Sequence, residues 1–335
     1  MKVACHYTIP RPPQPKLDAA IQDGLKLIDN FGGEMNFLYP GAEAKKIIPR
    51  FLCGLHQLYY LRQLDRRVDL HQIFSNGIYP YPVLRFFKKP VVYTSVIELG
   101  DKWPPLSRLL LKKVRKFVVV TDNDREKLKQ AGFDSEVILP GIDIDRFSNS
   151  PLHEQNKFFL LSGSAPWNEE QFETKGVEVL LQAAVALPWL HLVFLWRGRL
   201  LEKMQELVHQ YGLSDRVQVI DEMVDVNEAL RSVHAAVVLT GRSELVKGYP
   251  HSLLEALAAG KPVLVSRCLV MSDYVENRQC GVSVKNLQAE ELIGCVEVLR
   301  NNYPVFADSV VSLDLDCFSG RAMVASYNRV YQQLS

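Results

Sequence analysis

Eleven short apolar runs recur along the chain, and amphipathic stretches separate them. In the first half they are KVACHY, EMNFLY, DLHQIF, PVVYT, FVVVT and SEVIL; in the second, KFFLLSG, HLVFLW, RVQVI, AAVVLT and KPVLVS. Each is too apolar to keep one face in water, so each reads as a parallel strand buried on both faces. Residues 17–31, 49–66, 177–187 and 200–211 carry the helical pattern between them. Strand and helix therefore alternate through two successive series, which predicts two doubly wound α/β domains. The length of 335 residues suits two cores rather than one. A polar stretch rich in Gly, Pro, Asn and Ser, Pro140–Asn156, reads as the linker.

Charge divides unevenly. Residues 1–150 hold 23 Lys and Arg against 16 Asp and Glu, and the rest hold 16 against 22. The whole chain is nearly neutral, which argues against a general polyanion binder. Six scattered cysteines without C-x-x-C or Cys/His metal spacing read as reduced thiols of a cytosolic protein. The start, MKVACHYTIPRPP, lacks the apolar stretch of a signal peptide, and no run approaches the roughly 20 residues of a bilayer span. A cytoplasmic location is the expectation.

Open α/β sheets bind ligands at the carboxyl ends of their strands, so the loops there carry the functional signal. In KGYPHSLLEALAAGKPV, Ser252 and Glu255 have the spacing of a capping box. Alternatively, the helix start offers N–H groups to a phosphate while Glu255 accepts bonds from sugar hydroxyls. Lys175-Gly176 likewise opens a helix after a strand ending at Gly163, and a lysine there is either a solvated surface charge or an anion ligand. Arg197 and Arg199 end HLVFLW and suit a diphosphate or plain solvent; Arg242 after AAVVLT shares that ambiguity. No G-x-G-x-x-G or P-loop is present. The triplet Asp122-Asn123-Asp124 is more simply a helix cap, with Thr121 and Asp124 in capping-box spacing, and no metal site is expected. Residues 85–90 and 104–117 cluster basic side chains among Leu and Phe, as a solvated face or as a surface for anionic lipid.

Together these segments resemble family 4 of the glycosyltransferases, which have the two-domain GT-B architecture. The resemblance spans the chain and is strongest in LLSGSAPWNEEQFETKGVEVLLQA and KGYPHSLLEALAAGKPVLVS. It implies two Rossmann-like domains facing a cleft. Residues 1–150 would bind the acceptor and residues 151–318 the nucleotide-sugar donor, while a helix in 319–335 would cross back to the first domain. It implies transfer with retention and without a metal or other cofactor. Lys175, Lys247 and Arg242 would act on the diphosphate and sugar. Gly163, Ser164, Arg197, Glu222, Met223 and the turn Gly248, Tyr249, Pro250, His251, Ser252 would line the donor, with Glu255 on the ribose. Lys16 and Ser95 would face the acceptor.

The chain departs from that pattern. Lys247 stands where the family usually has a glutamate, and Ser164 where it has an arginine. Residues 10–16 replace a Gly-Gly loop, and Ser95 replaces a histidine. The leading expectation is a transferase acting on a glycan or lipid-linked acceptor, as in polysaccharide biosynthesis, with possible peripheral contact to an anionic membrane and no nucleic-acid partner. A catalytically degenerate binding module and a sugar-nucleotide epimerase of the same architecture are the alternatives.

Overall fold

Two six-stranded sheets, all parallel, organise the chain. The computed structural model describes every residue except 13–17, 40–48, 50, 51, 101–106, 150, 151, 153, 155, 164, 167, 197, 198 and 335, and the side chains of Ser107 and Arg108. Two compact units result: Met1–Gly141 with Cys317–Ser335, and Ile142–Asp316.

The first unit's strands are β1 (Val3–Tyr7), β2 (Gly33–Phe37), β3 (Leu70–Ser75), β4 (Val91–Ser95), β5 (Val114–Val119) and β6 (Ser135–Val137), in the order β2-β1-β3-β4-β5-β6. Successive residues of β1 feed opposite cores. Val3, Cys5 and Tyr7 join one cluster, and Ala4 joins the other. That is why these runs read as continuously apolar. Helix α1 (Gln22–Phe31) covers the first face together with the last helix, α13 (Gly320–Gln332). The C-terminal helix therefore returns to the first unit, as expected. Its tyrosines satisfy polar strand residues buried beneath it: Tyr331 Oη donates to Gln72 Oε1 at 2.9 Å, and Tyr327 Oη shares a 2.9 Å bond with Thr94 Oγ1. Ser319 caps α13, its side chain accepting from Ala322 N at 3.1 Å. On the other face lie α2 (Leu58–Asp65), a 3-10 turn at Pro82–Phe86 and α3 (Ser107–Leu111). Thr121 caps α4 (Asp122–Gln130) by accepting from Asp124 N at 3.0 Å, so the Asp-Asn-Asp triplet starts a helix.

A buried polar chain crosses this second core. Asn36 Nδ2 lies 3.2 Å from His6 Nδ1, His6 Nε2 2.8 Å from His71 Nδ1, and His71 Nε2 3.1 Å from Asp65 Oδ1. Phe87 stacks on both rings. If His71 Nε2–H donates to the carboxylate, every link is satisfied by two neutral imidazoles. Burial pulls the His71 pKa down to about 4 against the opposing pull of Asp65. Burial, then the neighbouring His71, puts His6 well below the ordinary range. The unfolded chain takes up these protons near pH 6.5 and the folded chain does not. Stability is therefore fully present above pH 6.5 and falls as pH drops towards 4. The expected slope is up to about 1.4 kcal/mol per pH unit for each histidine. Urea denaturation from pH 7 to 5, above the main carboxylate range, measures it. A flat profile would show that these rings protonate without resistance.

The second unit holds β7 (Phe158–Ser162), β8 (Leu190–Leu195), β9 (Val217–Ile220), β10 (Ala235–Val238), β11 (Val263–Ser266) and β12 (Gly281–Val284), ordered β12-β11-β10-β7-β8-β9. Eleven of the twelve strands correspond to the expected runs. The twelfth, GVSV, is short and half polar, so periodicity did not reveal it. Helices α6 (Val177–Ala186), α7 (Leu201–Gln210) and α11 (Ala289–Asn301) pack on this sheet around one core, and α8 (Val226–Arg231), α10 (Met271–Asn277) and α12 (Tyr303–Val311) are shorter helices of the same unit. From β7 the chain runs outward through β8 and β9, then returns to place β10 on the other side of β7. The switch point of the sheet is thus the β7/β10 boundary, where loops after adjacent strands diverge.

Candidate active site

The loops after β7 and β10 carry most of the expected donor residues. Gly163 directly follows β7, and a Cβ there would lie 3.3 Å from Ser252 Cβ. That close approach sets the β7 loop against the first turn of α9 (His251–Ala258). The α9 helix starts earlier than a capping box requires. Pro250 is the N-cap (φ −65°, ψ 128°), which makes Ser252 the second helical residue and Glu255 the fifth. Of the two readings of Glu255, the cap is thereby excluded, because a capping-box glutamate must sit at the third position. The N–H groups of His251 and Ser252 precede the first intrahelical bond, Leu253 N to Pro250 O at 3.1 Å. Gly248 and Pro250 are buried, while Lys247, Tyr249, Ser252 and Glu255 are partly exposed; Gly248 O accepts from Met271 N at 3.1 Å.

Lys175 lies at a helix junction rather than inside a helix start. It ends α5 (Glu170–Thr174), and Gly176 is the N-cap of α6. Gly176 adopts φ +67°, and a Cβ there would meet Leu239 at 3.0 Å and Leu287 at 3.3 Å. This left-handed residue turns the chain beneath the end of β10, bringing Lys175 beside the β10 loop. Its Nζ donates to Ala165 O at 3.0 Å. Burial lowers its pKa to about 8, and among the described residues no carboxylate pairs with it. A partly buried ammonium held by one carbonyl is a poorly compensated charge, which an anion would complete.

Arg242 behaves differently. Its guanidinium bridges Glu244 Oε1 at 3.0 Å and Glu170 Oε1 at 3.2 Å. It ties the β10 loop to α5, where the sequence left it as either a diphosphate ligand or a solvated charge. Thr240 builds the same loop from below. It is buried, its N–H donates to Ser266 Oγ at 2.8 Å, and its hydroxyl donates to Arg242 O at 2.8 Å. Gly241 N donates to Thr174 O at 2.7 Å, fastening this loop to the residue before Lys175. Sequence reasoning missed Glu170, Thr240 and Ser266. Glu170 lies 72 residues from Arg242, and no local pattern links them.

Glu222 and Met223 are exposed in the loop after β9, one strand beyond β8. Trp196 is buried at the end of β8, and its Nε1–H donates to Arg199 O at 2.7 Å, shaping that loop. Arg197, Ser164 and Lys16 lie outside the described residues. In the first unit Ser95 is fully buried and its hydroxyl donates to Ile97 O at 2.8 Å. It holds the turn after β4 and presents no hydroxyl to an acceptor, which corrects its expected role.

Residues 148–304 match the family model described as Glycosyl transferases group 1. That segment contains the whole β7/β10 site. An uncharacterized glycosyltransferase of Methanocaldococcus jannaschii is 24% identical over 292 residues, 78% of this chain and 74% of that protein. Among solved structures, HepE of Anabaena, in complex with UDP and glucose, superposes with a TM-score of 0.76 over all of both chains at 16% identity. Sucrose-phosphate synthase of Thermosynechococcus elongatus superposes with a TM-score of 0.71 at 15% identity, covering 99% of this chain and 98% of that one. At such identities the likeness is one of fold, and it is the GT-B fold of two Rossmann-like domains. The group 1 match supports glycosyl transfer as the activity.

Proposed function

We propose that this protein is a retaining glycosyltransferase that moves a sugar from a nucleoside diphosphate to a glycan or lipid-linked acceptor, without a metal or other cofactor. The observation that carries the reading is Lys175, an undercompensated ammonium at the switch point of the sheet that matches the group 1 family. A nucleoside diphosphate gains negative charge as it leaves. Lys175 and the first N–H groups of α9 would meet that charge, the role a metal serves elsewhere. Glu255, partly exposed one turn into α9, would accept bonds from the ribose hydroxyls. Lys247, in the turn ahead of α9, would take the place of the missing arginine against diphosphate or sugar. The surplus of cations in the first 150 residues fits an acceptor presented at an anionic membrane face. Among the described residues, no helix is long and apolar enough to cross a membrane.

UDP is the first nucleotide to test, because HepE has been solved with UDP and with UDP-glucose. Melting curves with UDP, GDP and ADP, and with their common sugar conjugates, should show one base raising the melting temperature by several degrees. NMR of the anomeric centre after turnover in the presence of EDTA tests retention and metal independence together. No nucleotide binding at millimolar concentration would remove the transferase reading.

A further inference from the structure

One face of the first unit is left unexplained by a donor site in the second. Three segments meet there: α2, the 3-10 turn at Pro82–Phe86, and α3. Tyr59 and Arg62 of α2 and Arg66, its C-cap, recur at i, i+3 and i+7, which puts them on one outward stripe. The Arg62 guanidinium lies 6.0 Å from the Phe86 ring centre, joining this stripe to the turn. Leu109 of α3 and Lys112, three residues on, add a second apolar–basic pair. Lys89 and Lys113 both act electrostatically on His71, so they flank the same region from two segments.

Two features set this face apart from an ordinary solvated surface. Large apolar side chains stand out among the cations: Tyr59 is 78% exposed, Leu109 52% and Phe86 42%. Carboxylates are sparse among its described residues. From Leu70 to Ile97 and from Ser107 to Thr121 the sequence has no Asp or Glu. Nearby Asp65 is buried, its Oδ1 accepting from Lys88 N at 2.8 Å and Lys89 N at 3.1 Å. Of the neighbouring surface carboxylates, Glu34 pairs with Arg67 at 3.2 Å and Asp69 Oδ2 accepts from Lys2 N at 2.8 Å. Arg62, Arg66, Arg85, Lys88 and Lys112 are therefore exposed without acidic partners among the described residues.

We infer that this face docks on an anionic lipid bilayer. Phe86, Leu109 and Tyr59 enter the headgroup region, and the surrounding cations pair with lipid phosphates. Cations alone would suit any polyanion, but protruding aromatic and aliphatic side chains gain only where an apolar layer lies beneath the charge. The inference deepens the peripheral membrane contact of the proposed function. Its test needs no donor or turnover, so its failure would leave glycosyl transfer standing.

Flotation of the full chain with phosphatidylglycerol-containing vesicles, against phosphatidylcholine alone, reads the interaction directly. Binding to the anionic vesicles should be at least about tenfold stronger and should weaken between low salt and about 0.3 M. The triple substitution Arg62→Glu, Lys88→Glu, Lys112→Glu should cost about tenfold or more at an unchanged melting temperature. Phe86→Ser with Leu109→Ser should remove the binding that persists in salt. Arg125→Glu with Lys129→Glu, cations on α4 paired with Asp122 and Glu126, should change little. The inference is overturned by equal binding to both vesicle types. Equal losses from the α4 pair and the triple variant would overturn it too. So would tighter binding to a DNA duplex that Phe86→Ser with Leu109→Ser leaves intact.

Discussion

Lys175→Met is expected to stabilise the apo-protein and to weaken donor binding at once. The two effects have one cause. Burial lowers the Lys175 pKa from 10.5 to about 8, so the folded chain holds this charge at a free-energy cost. Because the side chain is partly exposed, we take the cost as about 1–3 kcal/mol rather than the full value of the shift. Methionine keeps the apolar stem and removes the charge. The melting temperature should rise by about 2–6 °C. Nucleoside diphosphate affinity should fall about a hundredfold, as for loss of a preorganised charge. Calorimetry and titration on the same preparation check both signs. A lower melting temperature with intact affinity would instead make Lys175 a structural tie to Ala165.

The same shift predicts a pH profile. Donor binding favours the ammonium, and the free protein loses it as pH rises through about 8. Affinity should therefore be level below pH 7.5 and fall about tenfold per unit above pH 8. The fold itself moves the other way. An unfolded lysine keeps its proton up to its ordinary pKa of 10.5, so the cost of burying the charge is relieved between pH 8 and 10.5.

Glu255→Ala carries the second large expectation. Pro250, not Ser252, is the N-cap of α9, so Glu255 lies two positions past the third helical residue that a capping box uses. The melting temperature should stay within about 2 °C, while nucleotide affinity drops about fifty- to a hundredfold. Glu255→Gln keeps one acceptor oxygen and should fall between. The comparison that sharpens this is a nucleotide lacking the ribose hydroxyls: wild type and Glu255→Ala should bind it equally weakly. If the variant loses stability and keeps its affinity, the carboxylate belongs to the helix and not to the ligand.

Much of the architecture was legible in one dimension because a strand buried on both faces leaves a local mark. Val3–Tyr7 and Phe158–Ser162 are continuous, mostly apolar runs, and the five residues that make each strand are neighbours in sequence. Gly281–Val284 escaped because an edge strand keeps two half-exposed residues and blurs that mark. The Lys-Gly and Ser-x-x-Glu spacings were equally visible, but their meaning was not. Spacing cannot tell Ser at the cap from Ser two residues past it; the extended backbone of Pro250 decides that.

By itself, then, the sequence determined the strand and helix series, the resemblance to GT-B transferases, and the chemical types available at the strand ends. Only tertiary structure decided which were committed. Arg242 and Glu170 are 72 residues apart, and Tyr331 and Gln72 are 259 apart. Their pairing depends on strand order, on β10 returning beside β7 and on the last helix rejoining the first sheet. Likewise the basic face gathers α2, Pro82–Phe86 and α3 through packing, not adjacency. Local patterns record what a segment buries. Which charge remains uncompensated is a property of the assembled neighbours, and for that reason Lys175 stands without a carboxylate partner among the described residues while Arg242 is paired with Glu170 and Glu244.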